Sequence, residues 1–458
     1  MAADGPDRPA LAGRALARAG LVVTVGFLAS RLLGWVRLAV FGAQFGGSSP
    51  DLEAFLAAFR IPDTLFQLVA AGAIGSALVP VVTELLGRGE EERARRVVST
   101  VANLALAVLL PLGALLVLLA PVLMPLITPS YAPAREAQVV ELTRIMLASP
   151  VFLTLGAIAG ALLNTLAVFG APTLAPIAYN VLIIAAALLL APTLGVTGLA
   201  AGVVLGAAAH LGVQLPALLT HRFRYRPVLD LGDAAVRRIV LLLAPRALGQ
   251  GATQIVFLVN TMFATNLGTG PLTVYTFAFT VLLIPVGILG VPLGVVLLPA
   301  LSQAVVAEEL GRFASLVERA LRQLLFLVAP ATGLLIVLGR PTVAVLFGHG
   351  DFGAGAVDET AAVLVVFAVG LGGHSLVAIL APAFYAFQDT WTPVLAALAA
   401  VVVDVVAAVA LVGPLRVDGL ALAIGLGAWI EAVILLVLLR RRVESLELIG
   451  LTRSVLVF

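Results

Sequence analysis

Long apolar runs fill almost the whole chain and are separated by short charged or Gly/Pro-rich stretches. A membrane-spanning helix needs about 20 largely apolar residues, so the pattern predicts an all-α integral membrane protein. Several runs contain proline and exceed the length that a bilayer requires, which predicts tilted or kinked helices. The twelve predicted spans cover residues 19–45, 52–86, 97–127, 138–164, 171–191, 195–219, 237–266, 271–304, 314–338, 358–386, 391–412 and 417–439.

Composition supports this class and excludes several kinds of chemistry. Hydrophobic residues make up 61% of 458 and charged residues 11%, whereas soluble domains have about a quarter of their residues charged. Cysteine is absent and every basic residue is arginine, which excludes thiolate catalysis, phosphate loops and Schiff bases. The histidines lack metal-ligand spacing, and no nucleophile stands near a base. We therefore expect a transporter, with neither a metal nor a cofactor, and no enzyme.

Arginine is concentrated in alternate loops, as membrane topology requires. With a cytoplasmic N-terminus, eighteen arginines fall in inside segments, and only Arg135, Arg340 and Arg416 fall outside. This pattern orients a membrane protein and does not indicate a nucleic-acid partner. The first span contains Arg31 and is too long for a signal peptide, which predicts a retained helix.

The second half of the chain repeats the first. Residues 28–34 reappear as 243–249, and residues 196–200 reappear as 417–421, at offsets of 215 and 221. Six spans per repeat is an even number, which predicts two parallel repeats around a central cavity. The predicted division is a cytoplasmic N-terminal segment 1–18, two six-helix bundles 19–225 and 226–440, and residues 441–458 as a cytoplasmic tail or the start of a thirteenth helix.

Ionisable residues within the predicted spans are candidate functional groups, because charges at membrane depth are unfavourable. Arg31 and Arg37 are six residues apart, about 240° around a helix, and so share no face. With Arg60, they would suit a phosphate-bearing anion. The alternatives are neutralisation by Glu53 or Asp63, and snorkelling to the interface.

Three further polar residues are weaker candidates for function. Arg246 occupies the position of Arg31 in the second repeat, where fold symmetry alone could explain it. Asp404 lies in the middle of the eleventh predicted span, and Asn260 lies in the seventh. These two residues could hold a coupling H⁺ or Na⁺, or could form a hydrogen bond between helices.

The ordered motifs resemble the MurJ/MviN family of lipid II flippases in the MOP exporter superfamily, over about residues 20–440. They include Ser30-Arg31-Leu32-Leu33-Gly34-x-x-Arg37, Phe59-Arg60-Ile61-Pro62 and Gln388-Asp389-Thr390-x-Thr392-Pro393. The resemblance implies a MATE-like fold in the bacterial inner membrane. It also implies alternating-access transport of lipid II, the undecaprenyl-pyrophosphate-linked peptidoglycan precursor, from the inner to the outer leaflet. By the same resemblance, Arg31, Arg37, Glu53 and Arg60 stand at the family's charged positions in the first two helices.

The chain departs from this family where charged residues are expected, at Phe66, Gln67, Ala71, Phe279 and Thr280. Other cargoes therefore stay open, namely another lipid-linked oligosaccharide or the small cation of a MATE-like drug exporter. A transport-dead scaffold that binds cell-wall synthesis proteins is the second alternative. The energy source, whether Na⁺, H⁺ or the membrane potential, also stays open.

Overall fold

The computed structural model describes residues 8–69, 73–221 and 223–446, and within these ranges the regular structure is helical, without a strand. Helices satisfy their own backbone hydrogen bonds, as lipid requires. A π-helical turn, Val286–Gly290, joins the helix Pro271–Pro285 to the helix Val291–Val306. The helices are α1 (Arg8–Phe45), α2 (Pro50–Val69), α3 (Ala73–Gly87), α4 (Glu91–Ile127), α5 (Pro133–Met146), α6 (Ser149–Thr165), α7 (Gly170–Leu189), α8 (Ala191–Leu194), α9 (Val196–Gly212), α10 (Leu215–Thr220), α11 (Ala234–Asn266), α12 (Pro271–Pro285), α13 (Val291–Val306), α14 (Leu310–Phe347), α15 (Ala354–Ala386) and α16 (Trp391–Arg442).

Eleven helical stretches of the described chain are long and apolar enough to cross a membrane. The last of them, α16, has 52 residues, and as a straight helix it would measure about 78 Å. A hydrocarbon core is only about 30 Å thick. The helix bends at Arg416, whose φ of 53° and ψ of −127° are not helical. Its two segments therefore correspond to the eleventh and twelfth predicted spans.

Contacts divide the chain into two compact units. The first unit contains the described residues up to Val40, together with Ile61–Ala120 and Val140–Ala247. The second contains Phe41–Arg60, Pro121–Val139 and the described residues from Leu248 onward. The predicted bundles 19–225 and 226–440 follow the sequence repeat and stay a prediction, since these units follow contacts instead of chain order.

The first unit is held together by aliphatic side chains from α3, α4, α6 and α11. Leu78, Val98, Leu163 and Val236 are members of this core, and each exposes 2% of its surface or less. Beside it, α7 packs on α9 through small residues, because a glycine lets two helix backbones approach closely.

In the second unit, α15 packs against both α14 and α16. A Cβ atom at Gly370 would lie 2.7 Å from the Cα atom of Gly425, so these two helices touch through their backbones. Phe277 stacks on Phe352, with 5.2 Å between ring centroids, and meets Phe347 edge-on. Glycine contacts and aromatic packing together fix the positions of the helices that carry the candidate site residues.

Candidate functional site

Two arginines of α1 occupy different environments in the first unit. Arg31 is exposed, its guanidinium carbon lies 5.1 Å from the ring centroid of Phe27, and it forms no hydrogen bond or ion pair with a described residue. Arg37 is half-buried, 5.9 Å from the ring centroid of Tyr179 in α7. The two side chains therefore do not share a face, as their spacing predicts.

The surroundings of Arg37 leave part of its guanidinium available. The Arg37 Nε atom is buried without a hydrogen-bond partner in the described part of the chain. The Tyr179 hydroxyl lies within hydrogen-bonding reach of the Arg37 guanidinium, and the charge of Asp63 acts on the same hydroxyl. Gln67 donates a hydrogen bond of 3.3 Å to Asp63. A cation with unused donors is suited to a phosphate, which accepts several hydrogen bonds at once.

Glu53 belongs to the second unit, where it is fully buried. Its Oε1 atom accepts hydrogen bonds from the backbone N–H groups of Gly270 at 3.0 Å and Leu272 at 2.8 Å, at the start of α12. The first N–H groups of a helix have no partner inside the helix, so this carboxylate joins α2 to α12. The geometry favours a structural role for Glu53 over the substrate contact that the resemblance implies.

Tyr131 and Arg135 flank Glu53 within the second unit. The guanidinium carbon of Arg135 lies 4.8 Å from the Tyr131 ring centroid, and Arg135 donates a hydrogen bond to Thr269. Burial raises the pKa of the Tyr131 hydroxyl, and the nearby charge of Glu53 acts in the same direction. Tyr131 is therefore a neutral hydroxyl at physiological pH.

Arg60 lies at the edge of an aromatic cluster in the second unit, which the sequence reasoning missed. Its guanidinium carbon is 5.3 Å from the ring centroid of Phe257, a distance at which a cation is attracted to a ring face. Phe257 meets Phe279 edge-on at 5.4 Å, and Phe279 contacts Tyr275 and Phe367. The signal available in the sequence was the four-residue spacing of Tyr275 and Phe279.

The structure brings together the two residues that were predicted as a coupling-ion site. Asn260 Nδ2 donates a 3.2 Å hydrogen bond to Asp404 Oδ2, and the side chains expose 0% and 2% of their surface. Asp404 Oδ1 and Asn260 Oδ1 are buried without partners in the described part of the chain. Two unsatisfied side-chain oxygens thus lie close together and could bind an ion, while the described residues contain no cluster of three acidic, histidine or cysteine side chains.

Comparison with known proteins places the chain in a family. The family model described as "Lipid II flippase MurJ" matches residues 42–457. The chain belongs to the lipid II flippase MurJ family. The MurJ relative from Burkholderia cenocepacia is 34% identical over 437 residues, covering 93% of this chain and 84% of that protein. A probable MurJ from Vibrio cholerae is 31% identical over 432 residues, covering 92% and 82%.

Solved structures agree with this fold. A MurJ structure in an inward closed conformation superposes with a TM-score of 0.80 at 23% identity, covering 92% of this chain and 87% of that one. An inward-facing multidrug resistance MATE transporter of the MOP superfamily gives a TM-score of 0.76 at 15% identity, covering 91% and 95%. The predicted all-α, MATE-like fold is confirmed. The spanning helices and the MurJ family together indicate a multi-pass protein of the bacterial inner membrane.

The positions at which this member departs from the MurJ pattern have structural partners. Phe66 packs against the core of the first unit, and Gln67 holds Asp63. Phe279 is the centre of the aromatic cluster beside Arg60, and Thr280 donates back to the Thr276 carbonyl. Ala71 lies outside the described residues, as does the side chain of Arg246 in α11.

Proposed function

We propose that this chain moves lipid II from the inner to the outer leaflet by alternating access, with its N-terminus in the cytoplasm and without enzymatic activity. The curated relatives that cover nine-tenths of the chain carry this function in their names. The cargo bears a pyrophosphate, so a cationic group must stabilise it during transfer through a low-dielectric region. Arg31 and Arg246 in the first unit, and Arg60 and Glu53 in the second, stay proposed cargo-binding residues, each taken within its own unit, with Glu53 acting indirectly through α12.

One observation carries the site, namely the environment of Arg37. The residue lies in an apolar span, half-buried, and no described carboxylate lies within ion-pairing distance of it. A cation in such a position is unfavourable unless something compensates it. The Tyr179 ring and hydroxyl provide only neutral partners. A pyrophosphate would supply the missing charge and accept the unused Nε–H.

The test is complementation of a bacterium depleted of its own lipid II flippase. Wild type should restore growth, while Arg37→Ala, Arg31→Ala and Arg60→Ala should fail at equal membrane abundance. Arg37→Lys retains the charge without the planar donor pattern and should rescue only in part. Arg312→Ala is the matched control, because Arg312 is exposed and, in the described part of the chain, forms its ion pair with Glu309 alone. Equal rescue by all variants would remove the arginine site.

Wild type that reaches the membrane but fails to rescue would instead support a scaffold for cell-wall synthesis proteins or a different cargo. A cationic drug would require an available carboxylate. Glu53 and Asp404 expose 0% and 2% of their surface, so neither carboxylate is accessible to a drug-sized cation. These carboxylates thus favour an anionic cargo over the drug of a MATE-like exporter.

For energy coupling, we propose that Asp404 and Asn260 bind H⁺ or Na⁺, with the membrane potential as the alternative. The support is the pair of unsatisfied oxygens in a buried contact. Transport into proteoliposomes under imposed gradients would distinguish H⁺ coupling, Na⁺ coupling and drive by the membrane potential. Dependence on a Na⁺ or pH gradient that disappears in Asp404→Asn supports the pair, whereas a response to voltage alone contradicts it.

The proposed orientation can be tested because the chain contains no cysteine. Single-cysteine variants need no background changes, and Arg224 and Arg340 lie in segments assigned to opposite sides. Arg340→Cys should react with an impermeant maleimide in intact cells, and Arg224→Cys should react only after permeabilisation. The reverse pattern would place the N-terminus outside.

A further inference from the structure

A groove in the first unit is lined by one face each of α4, α6 and the α9–α10 segment. On α4 the lining residues include Val98, Ala102 and Leu106, spaced by four residues, together with Ser99, which places them on one helix face. On α9–α10 they include Leu211, Leu215 and Leu219, again spaced by four, together with Leu218. The cavity has a volume of about 460 Å³ and is almost wholly apolar. An apolar groove of this form suits a hydrocarbon chain.

A second cavity of about 580 Å³ adjoins this groove at the start of α4. The two cavities share Leu219 and Phe223, so the apolar groove continues into a polar mouth. The charged residues of this mouth are Glu92, Arg95, Arg224 and Arg226. The two cavities together are amphipathic. Aliphatic side chains line the groove within the spanning helices, and guanidinium groups line the mouth at the ends of these helices.

The cationic mouth is held in place by the segment that follows α10. Asn103 donates to the carbonyl oxygens of Arg226 and Val228 at 3.2 and 2.7 Å. Tyr225 donates its hydroxyl hydrogen to Asn103, and the backbone N–H of Arg226 donates to Ser99. The backbone that carries these arginines is therefore fixed against α4, which lowers the entropy lost when a ligand binds.

The charges of the mouth are not balanced. Arg226 pairs with Glu92 at 2.7 Å, and Arg95 lies 3.6 Å from the same carboxylate. Arg95 also pairs with Glu91. Arg224 is exposed and forms no ion pair or hydrogen bond in the described part of the chain. Three arginines thus meet two carboxylates, Glu91 and Glu92, which leaves one excess positive charge, that of Arg224, above an apolar groove.

We propose that this groove binds one anionic phospholipid, with its phosphate at Arg224 and Arg226 and one acyl chain along Ala102 and Leu215. Basic pockets between membrane helices are suited to anionic headgroups, because each arginine near the membrane surface adds attraction. The negative charge of the phosphate matches the excess positive charge of the mouth. The continuous apolar wall of the groove matches an acyl chain. The site lies wholly within the first unit and does not depend on the proposed transport function.

The test is native mass spectrometry of the purified full chain with phosphatidylglycerol and phosphatidylcholine added in equal amounts. Wild type should retain phosphatidylglycerol preferentially. Arg224→Gln should weaken this retention about fivefold, the effect of one arginine near the surface. The matched control is Arg96→Gln, because Arg96 is exposed on α4 and does not line the mouth.

A second pair of variants tests the apolar part independently. Leu219→Gln should reduce phosphatidylglycerol retention, because Leu219 belongs to both cavities although 73% of it is exposed. Leu118→Gln is the control, since Leu118 is 74% exposed on α4 and lies outside the groove. Equal retention of the two lipids, or unchanged retention in both Arg224→Gln and Leu219→Gln, would overturn the proposal.

Discussion

The helix pair α7–α9 in the first unit and the two segments of α16 in the second make the same close backbone contacts. A Cβ atom at Gly198 would lie 2.8 Å from the carbonyl carbon of Leu190, and one at Gly419 would overlap the carbonyl of Leu411. Gly419 follows Gly198 by 221 residues, and Leu411 follows Leu190 by the same offset. The repeat seen in the sequence is therefore also a repeat of three-dimensional contacts within each unit.

The same offset relates a second contact and a backbone turn. A Cβ at Gly206 would lie 2.7 Å from the Tyr179 carbonyl oxygen, and one at Gly427 would lie 3.1 Å from that of Ala400. Gly195 between α8 and α9 has φ 59° and ψ −143°. Its counterpart Arg416 has φ 53° and ψ −127°. A glycine and an arginine thus adopt the same backbone turn, because the helix packing on either side requires it.

The differences between the two helix pairs lie in the side chains that carry chemistry. Tyr179, the partner of Arg37, corresponds to Ala400. Asp404, the partner of Asn260, corresponds to Ile183. Each unit therefore places a polar group in the helix pair at a position where the other unit has an aliphatic residue. The comparison teaches that the packing was kept in both repeats while the candidate sites diverged.

The largest effect is expected from substitutions that break the backbone contact shared by the two units, at Gly198 and Gly419. Gly198→Ala and Gly419→Ala should each destabilise the protein by about 3 kcal/mol, the upper end for overpacking, because the obstructing atoms belong to the backbone. Thermal unfolding in detergent measures this. The controls are Gly212→Ala and Gly413→Ala, where an added Cβ meets open space. A neutral result for only one of the two glycines would show that the contacts are not equivalent.

This repeat could be found in the sequence because it depends on glycine, which is recognisable at a fixed offset. The spans could also be predicted, since hydropathy reports directly whether a helix can lie in lipid. That Arg31 and Arg37 share no helix face followed from helix geometry alone. These features are local or periodic along the chain.

Other parts of the site could not be predicted because they join distant residues. Glu53 binds the start of α12 more than 200 residues away, and no spacing rule connects a carboxylate to a backbone N–H in another helix. Asp404 and Asn260 were predicted together as candidates for a coupling ion, but no spacing rule places two residues that are 144 positions apart in direct contact. The aromatic cluster around Phe279 depends on packing against Phe257 and Phe367 of other helices, which the four-residue spacing of Tyr275 and Phe279 does not reveal.

The second prediction makes the two units more alike. Asp404→Ile introduces the residue found at position 183 and should destabilise by about 2 kcal/mol, because Asn260 then loses its buried partner. Adding Asn260→Leu should recover this loss, since a buried polar pair can be replaced by packed apolar groups at little cost. Chemical denaturation of the single and double variants measures the coupling. Simple additivity of the two changes would contradict a direct interaction.

The third prediction concerns substitutions of the two turn residues, Gly195 and Arg416. Gly195→Ala should destabilise by about 1 kcal/mol, because its positive φ is unfavourable for a side chain. Arg416→Gly should stabilise the protein by less than about 1 kcal/mol. Relief of backbone strain is partly offset by the greater freedom of glycine in the unfolded chain. It is also offset by loss of the 3.2 Å hydrogen bond from Arg416 to the Leu267 carbonyl oxygen. Melting temperatures of the two variants should move in opposite directions. A shift in the same direction would show that the turns are not equivalent.

The smallest effect concerns the aspartate–arginine pair at a helix start in each unit. In the first unit, Arg93 donates to both oxygens of Asp233 at 2.8 and 2.9 Å, and Asp233 also caps α11. The hydrogen bonds from Arg93 lower the pKa of Asp233. In the second unit, partial burial opposes the shift, but bonds from Thr392 and Arg442 still lower the pKa of Asp389.

A folded-state pKa below the unfolded value of about 3.9 means that this stabilisation is complete above pH 4 and is lost as the pH falls through the folded value. Asp233→Asn and Asp389→Asn should therefore lower the melting temperature slightly at neutral pH. The difference from wild type should shrink on acidification below about pH 4, because the wild-type carboxyl then becomes neutral as well. Melting curves between about pH 3 and 7 measure this. A difference that stays constant with pH would mean that each aspartate acts through its shape and hydrogen bonds alone, and that neither arginine contributes through charge.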